Sequence, residues 1–264
     1  MSPRNVDRTF TETSGGVGHP DFGQPLPKGQ APVGPIYTLT DLGELAARQG
    51  SIVTFDRRGY VVWLDDFEDN INKWFQEVVG AGGSIALSTD AARNGANSAK
   101  LVTPSATTTY AAISRAMGLR QPSREGFEIS FADLEDDTYF QIGIVYYDGT
   151  NSYAGYIRYD PDDDTLQVYD ATAGWVTIGS SINIYTDVSA WQTMKLVANL
   201  STQAYVRAIL NDTEYDLSSY SMFSATTSVA PRIAVGAWIY REVASNLHVY
   251  VDDAIVTQQE PAND

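Results

Sequence analysis

From Ser51 to Val256 the apolar residues of this chain recur at every second position, in short runs broken by polar turns. A period of two is the signature of half-buried strands, and it leaves little room for helix packing. Phe127, Ile129 and Phe131 share one face of such a run, as do Phe140, Ile142, Ile144 and Tyr146 of another. Turn chemistry separates the runs: Asp148-Gly149-Thr150-Asn151, Asp160-Pro161-Asp162-Asp163-Asp164 and Asn211-Asp212. Ile52–Phe55 and Tyr60–Leu64 flank Asp56-Arg57-Arg58-Gly59, a hairpin connection in which Gly59 can take a positive φ. Strands are expected at Ser84–Ser88, Ala99–Val102, Phe127–Phe131, Tyr139–Tyr147, Tyr153–Tyr159, Leu166–Tyr169 and Trp175–Ile178. The series ends with Met194–Asn199, Tyr205–Leu210, Ile233–Trp238 and Leu247–Val256. About a dozen strands with no helix between them predict an all-β fold, a two-sheet antiparallel jelly-roll sandwich.

Residues 1–36 follow another rule. They hold six of the 11 prolines and six glycines, with few large apolar side chains. Such a segment buries too little to offset the entropy of ordering, so an extended arm is expected, either a linker or a strap that orders against neighbouring subunits. In the stretch 37–50, Thr40 can cap a helix, Asp41 and Glu44 suit its positive end, and Gly50 suits its close. The expected organisation is an arm (1–36), a connector with one short helix and a hairpin (37–59), the sandwich (60–258) and a C-terminal tail (259–264).

Composition removes several function classes. Acidic residues outnumber basic ones 33 to 17, a formal charge of −16, and such a surface repels phosphate backbones, so no nucleic-acid partner is expected. With no cysteine, thiol chemistry and disulfides are excluded. No run approaches the roughly 20 apolar residues of a membrane span, and residues 1–8 lack the apolar core of a cleavable signal.

Two stretches carry a resemblance. Trp63-Leu-Asp-Asp-Phe-Glu-Asp-Asn-Ile-Asn-Lys-Trp74, followed by Ala92-Arg-Asn-Gly-Ala-Asn-Ser-Ala-Lys-Leu101, resembles the opening of carbohydrate-binding and galactose-binding-like jelly-roll modules. Val249-Tyr-Val-Asp-Asp-Ala-Ile-Val256 is similar to their closing strand, and Trp191–Leu200 with Tyr205–Arg207 looks like a strand pair of laminin-G or concanavalin-like sandwiches. The lead-in Leu45–Gly59 resembles that of tailed-phage virion accessory proteins carrying such a sandwich. That likeness implies a non-enzymatic capsid-decoration protein on the virion surface, made in the host cytoplasm without a signal peptide. Its implied partners are the major capsid or other virion proteins, with a homo-oligomer, a trimer among the options. The alternative is a carbohydrate-binding or adhesin module.

In jelly-roll modules of this type a structural calcium commonly joins the first and last strands. The matching residues would be Asp66, Glu68 and Asp253, completed by carbonyls near Asn97 and Ser98. Alternation gives independent support: with Leu247, Val249 and Val251 facing the core, Asp253 follows inward, where a carboxylate must be paired, hydrogen-bonded or metal-bound. The other reading is a strand-end cap. For a sugar or an interface the candidates are Trp175, Tyr153 and Tyr156, because both parities of the middle hairpins are aromatic and some rings must face outward. Asp133, Glu135 and Asp137 would share one face if their strand continued, as in sandwich glycoside hydrolases, but the flanking Asp136 and Thr138 read better as a turn. No catalytic residue is therefore assigned.

Overall fold

The structure is a computed structural model that describes residues 56, 58–106, 109–118, 121–185, 187–242 and 245–262. The expected arm, the short helix and the run Ile52–Phe55 lie outside the described residues. In chain order the strands are β1 (Tyr60–Asp65), β2 (Phe75–Val79), β3 (Ser84–Ser88), β4 (Ser98–Val102), β5 (Tyr110–Met117), β6 (Arg124–Ala132), β7 (Thr138–Tyr147) and β8 (Asn151–Asp160). They continue as β9 (Thr165–Asp170), β10 (Gly174–Gly179), β11 (Gln192–Asn199), β12 (Ala204–Leu210), β13 (Thr213–Asp216), β14 (Phe223–Thr226), β15 (Arg232–Arg241) and β16 (His248–Gln258). One sheet runs β13-β12-β11-β6-β16-β4-β3, with β1 also on β16; the other runs β10-β9-β8-β7-β15-β5-β2, with β14 also on β8. The two sheets face each other as the expected antiparallel sandwich.

Alternation builds the core between them. From β7, Phe140, Ile142 and Ile144 point inward and are fully buried, and Phe127, Ile129 and Phe131 of β6 meet them. The Phe131 and Phe140 ring centroids lie 4.6 Å apart. Burying each side chain of this size contributes roughly 1.5–3 kcal/mol. The opening stretch around Trp74 closes one end of this core. Trp74 stacks on the buried Phe67 at 5.7 Å, and its indole N–H donates to Asp65 at 2.8 Å, while Lys73 pairs with the same carboxylate at 2.7 Å. That motif is a structural plug.

Four strands carry little alternation and were not expected. The clearest is β5, Tyr-Ala-Ala-Ile-Ser-Arg-Ala-Met, whose alanines, arginine and methionine favour helix in isolation. Hydrogen-bonded ladders to β15 and β2 override that preference, and its Ala112 lies directly opposite Trp238. Strand β16 also departs from plain alternation. Its register shifts between Asp252 and Ile255, and Asp253 sits at φ 48°, so the inward set runs Val249, Val251, then Ala254 and Val256. Asp253 is buried, but the cause is this bulge and not continued alternation. At the C-terminal end, Glu260 is fully buried and Pro261 accepts a hydrogen bond from Arg207, so residues 260 and 261 are fastened to the first sheet.

Candidate functional site

The face of the second sheet turned away from the core is lined with aromatic rings. Because Phe140, Ile142 and Ile144 point inward, Tyr139, Gln141 and Gly143 of β7 point outward. Register carries the same face across the sheet. Gly143 pairs with Gly236 of β15 on one side and Tyr156 of β8 on the other. Gln141 pairs with Trp238 and Arg158, Arg158 with Gln167, and Tyr169 of β9 with Trp175 of β10. From β15 to β10 there are four strand spacings, roughly 19 Å at about 4.8 Å each.

Two glycines make room for the rings. A Cβ on Gly143 would stand 2.6 Å from Tyr156 Cε1, and one on Gly236 would stand 2.7 Å from Trp238 Cη2. The rings therefore occupy the space that side chains at 143 and 236 would fill. They brace one another edge to face: Tyr156 with Trp238 at 5.8 Å, Tyr156 with Tyr169 at 6.5 Å and Tyr169 with Trp175 at 5.3 Å. From inside the sandwich, the Tyr205 hydroxyl accepts from Tyr156 N–H at 2.9 Å and donates to the Tyr169 carbonyl at 2.7 Å, which holds β8 and β9 in place beneath the rings.

Gln141, Tyr156, Tyr169, Trp175, Phe223, Trp238 and Tyr240 enclose a groove of about 360 Å³. Phe223, on β14, is 42% exposed and forms its rim. Gln141 is only 6% exposed, and it lines the groove among these rings. Burial, with smaller contributions from Tyr147 and Tyr169, pushes the Tyr156 phenol up to about 12, and burial raises Tyr240 as well. Both phenols stay protonated near neutral pH and act as hydrogen-bonding rings, not as bases. The lining has no carboxylate and no imidazole, so it can stack and hydrogen-bond a ligand but carries no acid–base pair.

Of the three aromatic candidates from the sequence, Trp175 and Tyr156 meet in this groove. Tyr153 does not: it points to the opposite face, where it stacks on Tyr146 at 6.0 Å against the core. Parity separates them, since Tyr153 and Tyr156 are three residues apart on one strand. Trp238, Tyr240 and Gln141 were missed, although the alternation of β15 and β7 carried the signal: Ile233, Val235, Ala237 and Ile239 take the inner face and leave Trp238 and Tyr240 outside. Phe223 had no such signal, because it stands on a four-residue strand.

The candidate calcium ligands cluster elsewhere. Glu68 accepts from the backbone N–H groups of Ala96 and Asn97, both at 2.8 Å, which lowers its pKa and fixes the loop before β4. Asp66 accepts from Glu68 N–H at 3.3 Å. Asp253 Oδ2 accepts from the Asn94 amide at 2.6 Å and lies 3.6 Å from Arg93, whereas its Oδ1 is buried with no hydrogen-bond partner. The orphaned oxygen fits a cation and the engagement of Glu68 by its loop does not. Among the described residues no three acidic or histidine side chains form a metal-holding group. Asp133, Glu135 and Asp137 follow the end of β6 in a turn, with Asp133 and Asp137 at positive φ, and His248 lies 2.8 Å from Asp133 and 2.7 Å from Glu135. No membrane-crossing helix is present among the described residues.

No protein-family model matches the chain, and no curated protein matches it. Solved structures do. A Bacillus subtilis protein of unknown function with a galectin-like fold is similar at a TM-score of 0.50 and 12% identity, over 76% of this chain and 97% of that one. The C-terminal family 22 carbohydrate binding module of Clostridium thermocellum Xyn10B is similar at a TM-score of 0.39 and 17% identity, over 78% of this chain and 98% of that one. A carbohydrate esterase from the Shiga toxin-encoding bacteriophage phi24B is similar at 0.45 and 12%, over 76% and 99%. The likeness to the galectin-like protein is one of fold, the jelly-roll sandwich. A fold does not by itself fix a function, so the groove must indicate it.

Proposed function

We propose that this chain binds carbohydrate through the groove on its second sheet, with an extended glycan lying across β7 to β10 and β15. The observation behind this is the convergence of Trp238, Tyr156, Tyr169 and Trp175 on one groove that the Gln141 side chain also lines. Aromatic rings offer apolar faces at little entropic cost, and a buried amide supplies directional hydrogen bonds to hydroxyls. The role is binding without catalysis, since the lining offers no acid–base pair. Screening the full chain on a glycan array tests it: micromolar-to-millimolar binding that Trp175→Ala removes is expected, and an array without a bound glycan would refute it.

The capsid-decoration role drew on residues 1–59, most of which lie outside the described residues, and the groove favours the carbohydrate alternative over it. Calcium at Asp253 is likewise our proposal, supported by the orphaned Oδ1. Such an ion would tie β16 to the loop holding Asp66, a structural role separate from the groove.

A further inference from the structure

Arg158 stands beside Gln141 at the edge of the groove, held in a fixed plane. Its guanidinium carbon lies 4.3 Å from the Tyr139 ring centroid and 4.3 Å from that of Trp175. Its Nε donates to Gln167 Oε1 at 2.7 Å. These contacts fix the plane of the fork, and the Tyr139 hydroxyl shares a side-chain hydrogen bond with it, so a ligand would take the N–H groups that Gln167 and Tyr139 leave. Asp160 and Glu242 are the nearby acids: Asp160 senses the Arg158 charge, and Glu242 acts on Tyr139. Neither forms an ion pair with Arg158, which has no carboxylate partner among the described residues. Among the described residues, by contrast, Lys73 pairs with Asp65, Lys100 with Asp90 and Lys195 with Glu260.

A guanidinium that is stacked, immobilised and unpaired has its ordering cost met before any ligand arrives. The group it matches in geometry is a carboxylate, which it can take through two parallel N–H bonds. Within the aromatic groove, a carboxylate is presented on a sugar ring. We propose that the groove selects glycans bearing carboxylates, uronate-containing chains, with Arg158 as the residue that determines this specificity. This rests on the carbohydrate-binding role proposed above. Trp238, Tyr156 and Tyr169 stack the sugar rings, Gln141 takes a hydroxyl, and Arg158 takes the carboxylate.

Two polymers of one backbone test it: polygalacturonate, and the same polymer with its carboxylates reduced to alcohols. Both are titrated into the full chain at physiological salt, where the formal charge of −16 is screened beyond about 8 Å. The expected result is binding about tenfold or more tighter for the acidic polymer, the ratio set by one charged hydrogen-bonded contact. In Arg158→Gln the ratio between the two polymers is expected to fall to about one, and an acidic preference that survives in this variant overturns the assignment to Arg158. Should that variant not fold, the polymer pair on the unaltered protein decides alone. Equal binding of the two polymers overturns this inference and leaves the carbohydrate-binding role standing. Binding of neither, together with an empty array, overturns both.

Discussion

Replacing Glu260 with glutamine should destabilise the sandwich more than any substitution in the groove. Lys195 of β11 and Arg207 of β12 point away from the core, yet Lys195 is 1% exposed and Arg207 fully buried, because Asp56 and Glu260 cover them. Glu260 joins the two cations: one oxygen lies 2.7 Å from Lys195 Nζ, and the other pairs with an Arg207 Nη. Asp56 adds a contact at 2.9 Å to Lys195, and Glu128 lies 4.0 Å from it. Removing one partner of a buried pair costs about 3–5 kcal/mol, since the remaining charge stays desolvated. A domain of this size loses about 2–4 °C per kcal/mol, so Tm should fall by roughly 6–20 °C in Glu260→Gln. Thermal unfolding by circular dichroism reads this directly. The double variant Lys195→Met with Glu260→Gln should lose less than the two single losses added, by about 0.5–3 kcal/mol. A Tm within about 2 °C of the unaltered protein would refute the cluster as a stabilising element.

The same cluster sets a pH dependence. Burial holds Glu128 protonated up to about 8 and Glu125 up to about 7. A folded pKa above the unfolded value of 4.5 means the folded chain keeps protons that the unfolded chain has lost, so stability should fall as pH rises from about 4.5 to 8, and Glu128→Gln should flatten that slope in urea titrations. At Asp56, burial acts upward but the Lys195 charge and the Arg58 hydrogen bonds prevail and bring it to about 2, so this contribution is lost as pH falls from about 3.8 to 2. In the groove, Gly143→Ala places a methyl where Tyr156 lies, and glycan affinity should drop about tenfold; unchanged affinity in a titration would show that Tyr156 does not touch the sugar. Excess calcium should raise Tm, and chelator should lower it again; a melting curve indifferent to both would dismiss an ion at Asp253.

Much of the sandwich was legible because a strand with one face on a core must alternate. Where both faces are specialised, the pattern fails. Strand β5 reads as a helix former because Ala112, opposite Trp238, is small beneath the aromatic face, so local propensity and tertiary role conflict there. Tyr156 and Trp175 followed from the mixed parity of the middle hairpins, but their convergence on Trp238 depends on strand order: β15 lies next to β7 although more than eighty residues separate them in sequence. The Lys195–Glu260 cluster had no sequence signal, since a lysine at an outward position ordinarily reads as solvated. Only the return of Glu260 over β11 and β12 buries it.

The central claim, that the aromatic groove holds a glycan, is tested most directly by calorimetric titration of the best array ligand into the unaltered protein, Trp238→Ala and Tyr185→Ala. Tyr185 is 79% exposed and does not line the groove, so it controls for loss of any surface ring. The account predicts micromolar-to-millimolar affinity for the unaltered protein, the same value for Tyr185→Ala, and a loss of about tenfold or more for Trp238→Ala. A Trp238→Ala protein that titrates like the unaltered one would contradict it.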